Sequence, residues 1–565
     1  LTWDKKTSCG NESGKCRHRV LPWLRGQGID IGCGAHKIVQ TAIGYDRLAG
    51  TDMKGEAEDL RLFRDGSLDY VFSSHCLEDL ADTEAVLKEW WRVLKPHGHL
   101  ILYLPHKDLY PNIGQPGANP AHQHDFEPDD IIKIIKKNFA ASLVRCDVHA
   151  EDDEYSFEMI VQKLPDKKKS VFKKNLFSYP DNAIQVIRYG AYGDAIQITP
   201  LMKRLKDEGN YIVAQVGERG AEILKHNPNI DRFEVVSEGA LTPQSMADVW
   251  RKQAKIFKRH INLSGIVEQT LLRIKGEPGY DINHQIRHRV CNFNYIDALH
   301  AQAGYDDNGG YVKPEMFFSP KEINKARDTI DKIKNNTGAS YVILWSLAGS
   351  GWNKKYPWGE VVQSRLLMAH EDMAIITVGD GSCRMLEWPH NRFVGLSGKN
   401  TMRESCCLTQ FVDLVVGPET GILNAASCYD VPKVIFLSHS SKENLTKYWS
   451  NTIEVIPDAD CHPCHRLIYD WRECTHATKE EIVASVDLQR YVSANDLDVF
   501  ATMQVSYPKC VIKTYPHDII EAVGFFYAKT KEVGEGRKEN KKENTESDCR
   551  AANGYLVADC SGISR

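Results

Sequence analysis

The segment Val186 to Lys206, VIRYGAYGDAIQITPLMKRLK, restricts the fold more than any other stretch of the chain. Val186 and Ile187 carry a short apolar strand, Gly190 and Gly193 bracket a turn, and Asp194 sits where a helix begins. Ile198, Leu201, Met202 and Leu205 recur at helical spacing, with Lys203, Arg204 and Lys206 on the polar side. A strand running through a glycine turn into a helix presents backbone N–H groups and the positive end of a dipole, which suits a phosphate or a carboxylate. An acidic side chain there stands at the mouth of an α/β cleft, where ligands bind. Asp194 reads equally as a helix cap and as a catalytic base.

Units of this kind recur. At 565 residues the chain has room for more than two domains of about 150 residues each. Its apolar share of 42% is that of a globular protein. A net charge of -5 and a pI near 6.5 argue against nucleic acid as a partner. No apolar run reaches the roughly 18 residues of a membrane span, and LTWDKKTSCG lacks the apolar core of a signal peptide. Because the first residue is Leu, a longer native N-terminus is expected. Sixteen scattered cysteines suit a reducing compartment, so the expected location is the cytoplasm.

In the first part of the chain, GQGIDIGCGAHKI places Asp30, Gly32 and Gly34 after a short apolar strand. The glycines allow a tight turn and close approach of a ligand to the backbone. Asp46 ends a second strand, where a carboxylate can take both ribose hydroxyls of a nucleoside. Asp59 and Leu60 precede another strand, Leu68 to Phe72. LKEWWRVLKPHGHLILYLP then gives a helix, a turn and the strand Leu100 to Leu104, and SLVRCDVHA and EYSFEMIVQ supply two more strands. Strands alternating with helices predict a parallel sheet covered on both faces.

This order of signals, over roughly Gly28 to Pro105, resembles the class I S-adenosylmethionine-dependent methyltransferases of the type 11 group. The resemblance implies that Asp30, Gly32 and Gly34 line the methionine end of S-adenosyl-L-methionine. It implies that Asp46 binds ribose, that Asp59 and Leu60 flank adenine, and that His75 and Cys76 face the methyl group. His97 replaces a glycine of the family's turn, well away from the cofactor. The segment AHQHDFEP, with His122, His124 and Asp125, reads either as acceptor contacts with a histidine base or as a polar loop capping the helix Pro128 to Lys137.

Lys163 to Pro180 carries six lysines and two prolines and reads as an exposed basic linker. It also leaves open a peripheral attraction to anionic glycan or lipid surfaces. After the opening unit, a second α/β half starts at Tyr341. The loop in YVILWSLAGSGWNKKYPW offers Gly349, Ser350, Gly351 and Lys354, a set of amides, hydroxyl and ammonium suited to a diphosphate. FVDLVVGPETGILNAAS ends a strand at Glu419, with Thr420 and Gly421 opening a helix.

Four motifs of this region resemble glycosyltransferase family 9, the ADP-heptose:lipopolysaccharide heptosyltransferases. They are R-x-G-x-x-G-D-x-x-x-x-x-P from Arg188 to Pro200, the loop Gly349-Ser350 with Lys354 to Pro357, the run Glu419 to Ala426, and the late Cys461-His462-Pro463-Cys464. The match is poor through Ser237 to Pro314. The resemblance implies a GT-B fold of two Rossmann-like halves and inverting sugar transfer with Asp194 as general base. Gly193, Ser350, Lys354, Glu419, Thr420, Gly421 and Asn424 would hold a nucleotide-diphosphate sugar, with no metal required. Glu419 replaces the family's Asp and Asn424 its His, which points to a different donor or pose, and Asp380 is a candidate for the donor ribose. Cys461, His462, Cys464, His465, Cys474 and His476 read as a zinc cluster or as reduced, packed cysteines.

The expected organisation is α/β throughout. Residues 1–164 form a methyltransferase domain, 165–180 a linker, 181–338 the acceptor half and 339–494 the nucleotide-sugar half of a glycosyltransferase, with a tail over 495–565. A helix is expected at Lys479 to Val492, a strand and helix over VSYPKCVIKTYPHDIIEAVGFFYAKT, and disorder over EGRKENKKENTESD. The expected function is methyl transfer coupled to glycosyl transfer onto a glycan or glycolipid. The alternatives are a methyltransferase fused to a catalytically degenerate sugar-binding module, and an assembly protein that retains both folds. Sugar, nucleotide, methylated atom and oligomeric state are not set by the sequence.

Overall fold

Three sheets built mainly of parallel strands carry the chain, and in each the winding reverses between the first strand and the fourth. The computed structural model describes residues 11–48, 50–151, 153–165, 172, 179–264, 273–275, 280–478 and 507–532. It divides into two units, Leu1–Gly190 with Met202–Glu222 and Pro228–Ser264, and Ala191–Leu201 with Ile223–Asn227 and Gly265–Arg565.

The first unit opens with α1 (Ser13–Val20) and a seven-stranded sheet of β1 (Gly28–Ile31), β2 (Ile43–Asp46), β3 (Met53–Lys54), β4 (Leu68–Ser74), β5 (Leu94–Pro105), β6 (Ala141–His149) and β7 (Ser156–Lys163). The order is β3-β2-β1-β4-β5-β7-β6. β1 to β5 run parallel, while β7 is antiparallel to both β5 and β6. β1 is buried at every residue, as a central parallel strand must be. Helix α2 (Thr83–Val93) is capped by Asp82, which accepts from the Ala85 amide, and buries Val86, Leu87, Trp90, Trp91 and Val93 against the sheet. In α3 (Pro128–Asn138) Ile131 and Ile135 face inward.

No helix follows the glycine turn between β1 and β2; residues 32–42 are turns and bends. Side chains bind this backbone in place of a helical ladder. Asp30 accepts from the Ile38 amide at 2.5 Å, Arg17 Nε donates to the Ile38 carbonyl at 2.6 Å, and Lys37 Nζ donates to the carbonyls of Gln40 and Ala42. Backbone groups satisfied in this way gain nothing from a helix.

The second sheet consists of β8 (Ala183–Arg188), β9 (Tyr211–Gly217), β10 (Arg232–Val236) and β11 (Arg259–Asn262), all parallel, in the order β10-β9-β8-β11. Its connections carry α4 (Tyr192–Gln197), α5 (Thr199–Asp207), α6 (Glu218–Leu224) and α7 (Pro243–Gln253). Within the first unit the two sheets share a core, in which Cys16, Val20 and Leu21 meet Val236, Ala240, Leu241 and Val249. The Gln40 amide donates to the Ala240 carbonyl at 2.9 Å, and Lys252 and Gln253 of α7 donate to the carbonyls of Gly14 and His18.

The second unit contains β12 (Arg273–Ile274), α8 (His284–Cys291), α9 (Tyr295–Gln302) and α10 (Pro320–Thr337), followed by the third sheet. That sheet comprises β13 (Tyr341–Ser346), β14 (Met373–Val378), β15 (Phe393–Gly395), β16 (Leu414–Pro418), β17 (Lys433–Phe436) and β18 (Thr452–Val455), all parallel, in the order β15-β14-β13-β16-β17-β18. Its helices include α11 (Gly359–Ala369), α12 (Met402–Leu408) and α13 (Gly421–Ala426). β19 (Arg466–Leu467) pairs with β12, and β20 (Ala477–Thr478) with β21 (Tyr507–Pro508). The expected strand and helix of the tail are β21, α14 (Lys509–Ile512) and α15 (516–532). Val511, Ile519, Val523 and Phe526 complete the core around Tyr341, Trp345 and Val362. The expected helix over Lys479 to Val492, most of the basic linker and the charged run Glu535 to Asp548 lie outside the described residues. Among the described residues no helix is long and apolar enough to cross a membrane.

Candidate active sites

In a doubly wound sheet, ligands bind at the carboxyl ends of the strands where the winding reverses. In the first sheet that point lies between β1 and β4. Asp30 is 1% exposed, and burial pushes its carboxyl up to about 7 against the pull of the Ile38 N–H. Gly32 and Gly34 adopt left-handed φ of 75° and 51°. A Cβ on Gly32 would lie 2.7 Å from Cys76 Cβ, so the end of β4 packs directly on the loop. A Cβ on Gly34 meets nothing within 4 Å, which leaves that side of the loop open to a ligand. Asp46 accepts from the Gly34 and Leu48 amides, each at 2.9 Å, and thereby ties the loop to β2. A carboxylate offers about four lone-pair sites, so capacity for ribose hydroxyls remains. An open glycine loop beside an anchored carboxylate fits the nucleoside and amino-acid ends of S-adenosylmethionine.

Asp59 and Leu60 lie between β3 and β4, and the Asp59 carbonyl accepts from Tyr45 Oη of β2 at 2.7 Å. The Asp59 carboxylate is on the surface with Arg61 Nε at 2.9 Å. Leu60 is fully buried in the core, and its amide donates to Glu89. His75 closes β4 at φ 49°, its Nε2 lies 2.9 Å from Ser156 Oγ, and burial lowers its pKa to about 3. The AHQHDFEP segment does cap α3, through its own Glu127, which forms a capping box with Asp130. It lies across the turn after β4, with the Gln123 and His124 amides donating to the Glu78 carbonyl at 2.8 and 3.1 Å. Sequence reasoning passed over Glu78 and the tyrosines that flank it.

In the second unit, Asp194 is the third residue of α4 and accepts from the Ala191 amide at 2.7 Å, so it does cap the helix. Across the reversal point between β13 and β16 stand the loop from Gly349 to Lys354 and the turn from Glu419 to Gly421. A Cβ on Gly349 would be 2.8 Å from Lys354 Cδ and 3.3 Å from Thr420 Cγ2, so the lysine stem lies across Gly349 beside Thr420. Thr420 Oγ1 is 2.9 Å from Ser346 Oγ, and Ser350 is exposed. Burial lowers the pKa of Lys354, while the charges of Glu419 and Asp194 pull it back up. These three groups therefore act within one electrostatic field.

Glu419 is buried and saturated. It accepts from the Ser438 and Ser440 amides at 3.0 Å each and from Ser438 Oγ at 2.8 Å, with His439 Nδ1 at 3.1 Å. Burial opposes its charge, but these donors and Lys354 outweigh it and hold the carboxyl below its usual range. His439 is kept neutral by burial, at about 4. Asn424 is equally committed, with Nδ2 donating to the Thr420 carbonyl at 2.9 Å and Oδ1 accepting from Gln197 at 2.7 Å. Gly193 leaves only 3.0 Å between a built Cβ and Asn424 Nδ2, so Gln197, Gly193 and Asn424 lock α4 to α13. Asp380 is taken up by the Ser382 and Cys383 amides as the cap of the following turn. A cleft lined by Cys461, Cys464, Cys474, His476 and Cys510 gathers the late cysteines as free thiols. The ligand atoms of Asp460, Cys461 and His476 lie within 4.8 Å of one another, a set able to hold a metal ion.

Residues 12–102 match the family model described as a methyltransferase domain. No curated protein sequence matches the chain. A family 9 glycosyl transferase from Veillonella parvula is 14% identical, with 62% of this chain and 99% of that one covered at a TM-score of 0.40. The ADP-heptose lipopolysaccharide heptosyltransferase II of E. coli is 12% identical over 48% of this chain and 90% of its own, at 0.36. A SAM-dependent methyltransferase from Thermotoga maritima is 20% identical over 27% of this chain and 90% of its own, at 0.21. The chain carries a methyltransferase domain and is a transferase.

Proposed function

We propose that the protein is a bifunctional, cytoplasmic glycan-modifying enzyme. Residues 1–164 transfer a methyl group from S-adenosylmethionine. Residues 181–338 and 339–494 transfer a sugar, with inversion, from a nucleotide-diphosphate donor to a glycan or lipopolysaccharide-like acceptor.

S-adenosylmethionine supplies an electrophilic methyl group on sulfur. The loop from Asp30 to Gly34 with Asp46 holds and orients it, and His75 and Cys76 close the site at the end of β4. The observation that carries the glycosyl reading is the Lys354 stem lying across Gly349 beside Thr420, with the charges of Glu419 and Asp194 acting on it. Asp194 takes the proton of the attacking hydroxyl as the new glycosidic C–O bond forms. The bond to the diphosphate breaks, its electron pair stays on the phosphate oxygen, and Lys354, with Ser350 and Thr420, stabilises that charge. Gly193, Gly421 and Glu419 set the backbone and the lysine in place for this.

A second reading, a methyltransferase with a sugar-binding module that no longer turns over, draws support from the saturation of Glu419 and Asn424. Calorimetric titration with ADP, GDP, UDP, CDP and dTDP separates the possibilities. The enzyme reading expects one nucleotide to bind at least tenfold better than the others and Lys354→Ala to weaken it at least tenfold, with S-adenosylhomocysteine affinity unchanged. Binding without turnover of the matching nucleotide-sugar supports the module. No binding by any nucleotide contradicts both.

A further inference from the structure

The turn after β4 holds a carboxylate that neither proposed transfer has yet used. Glu78 is 1% exposed, and among the described residues neither of its carboxylate oxygens has a hydrogen-bond partner. Its neighbours are His122, with Nε2 at 3.8 Å, and His75, with Nδ1 at 4.0 Å, both beyond bonding range. Two partly exposed tyrosines stand beside them. The rings of Tyr110 and Tyr155 are 4.9 Å apart, Tyr110 is 5.3 Å from His122, and Tyr155 is 5.5 Å from His75. Burial and the charges of Glu78 and Glu12 raise the pKa of both phenols. Glu12, a second carboxylate at this place, is paired with Lys15 at 2.9 Å. All of this follows directly on Cys76, whose side chain packs against the cofactor loop at Gly32.

A buried carboxylate with two unpaired oxygens is expensive unless something donates to it. Tyr155 already carries one cation on its face, Lys15 Nζ at 4.7 Å from the ring centroid, so this place accepts ammonium groups. We infer that the methyl acceptor presents an amine, held as an ammonium by Glu78 at the edge of the packed Tyr110 and Tyr155 rings. The inference rests on the methyltransferase domain and deepens it, since it names the class of acceptor: an amine such as that of an amino sugar, in place of a hydroxyl. Burial pushes the Glu78 carboxyl up to about 8 against the pull of its own backbone N–H, and an adjacent ammonium restores its charge. In the transfer, Glu78 takes one proton from the ammonium and the freed nitrogen lone pair attacks the methyl carbon. The N–C bond forms, the C–S bond breaks with its pair on sulfur, and the products are the methylated ammonium and S-adenosylhomocysteine.

The test is calorimetry on the full chain loaded with S-adenosylhomocysteine, using glucosamine and glucose as probes, since they differ in one amino group. Glucosamine is expected to bind at least tenfold tighter than glucose, and Glu78→Gln to abolish the difference while S-adenosylhomocysteine binds as before. Tyr155→Leu should reduce the preference independently, which guards against a misfolded Glu78 variant. Equal affinity for the two sugars, absence of glucosamine binding, or a preference that survives Glu78→Gln overturns the inference. Failure of S-adenosylhomocysteine to bind would instead contradict the cofactor reading.

Discussion

Asp194 is both the cap of α4 and the proposed base, and the two roles separate chemically. Asn retains an oxygen for the Ala191 amide and cannot take a proton. Asp194→Asn is therefore expected to leave the thermal midpoint nearly unchanged and to slow sugar transfer by about 10²- to 10⁴-fold, measured as initial rates at saturating donor. The saturation of Glu419 makes the opposite forecast. Glu419→Gln keeps the shape but loses the charge that two amides, a hydroxyl and Lys354 share, so it should destabilise the protein by about 1–3 kcal/mol in denaturant titration. At this scale the sequence singled out Asp194, Lys354 and Glu419, and in the structure the charges of Asp194 and Glu419 act on Lys354. It could not show that Asn424 is spent on Gln197, because that partner is remote in the chain and carries no motif. Glu78 was missed because an acid in HCLEDL looks like any surface acid until burial is known.

Among the elements, strands were the most legible. β1, β8 and β13 are short, mostly apolar runs followed within three residues by a glycine, β16 contains one, and burial at every residue explains why they show no alternation. The irregular course of residues 32–42 was not legible, since only the structure shows Asp30, Arg17 and Lys37 holding that backbone. Helices α8 and α9 were hidden in a region of histidines and asparagines whose helical caps, Asn283 and Asn294, also read as loop residues. The packing of β1 on β4 yields a sharp prediction. A Cβ on Gly28 would fall 2.2 Å from the buried Tyr70 ring. Gly28→Ala should cost about 1–3 kcal/mol or more by overpacking, seen as a lower thermal midpoint with S-adenosylhomocysteine affinity reduced in parallel.

For the molecule as a whole, the three reversing sheets were foreseeable from repeated strand-turn-helix units, whereas the core shared by the first two sheets was not, because it joins residues more than two hundred positions apart. That first unit has a distinctive titration. Burial pushes Asp30 up to about 7 and Glu78 and Glu234 up to about 8, so the fold retains protons that the unfolded chain releases. Burial pushes His18 and His75 down to about 3 and His99 to about 4, so below roughly pH 6.5 the unfolded chain binds protons that the fold refuses. Stability should rise as pH climbs to roughly 5, where the three histidines and three carboxyls begin to cancel, then fall from roughly pH 5.5 to 8. Glu78→Gln should flatten the alkaline limb of a plot of thermal midpoint against pH. The most direct test of the account is nucleotide release. The protein is offered ADP-, GDP-, UDP-, CDP- and dTDP-sugars with a glycan and glycolipid acceptor pool, beside Asp194→Asn. The account predicts release from one nucleotide-sugar that requires acceptor and is lost in the variant. Silence with every donor, while S-adenosylhomocysteine still binds, would contradict it.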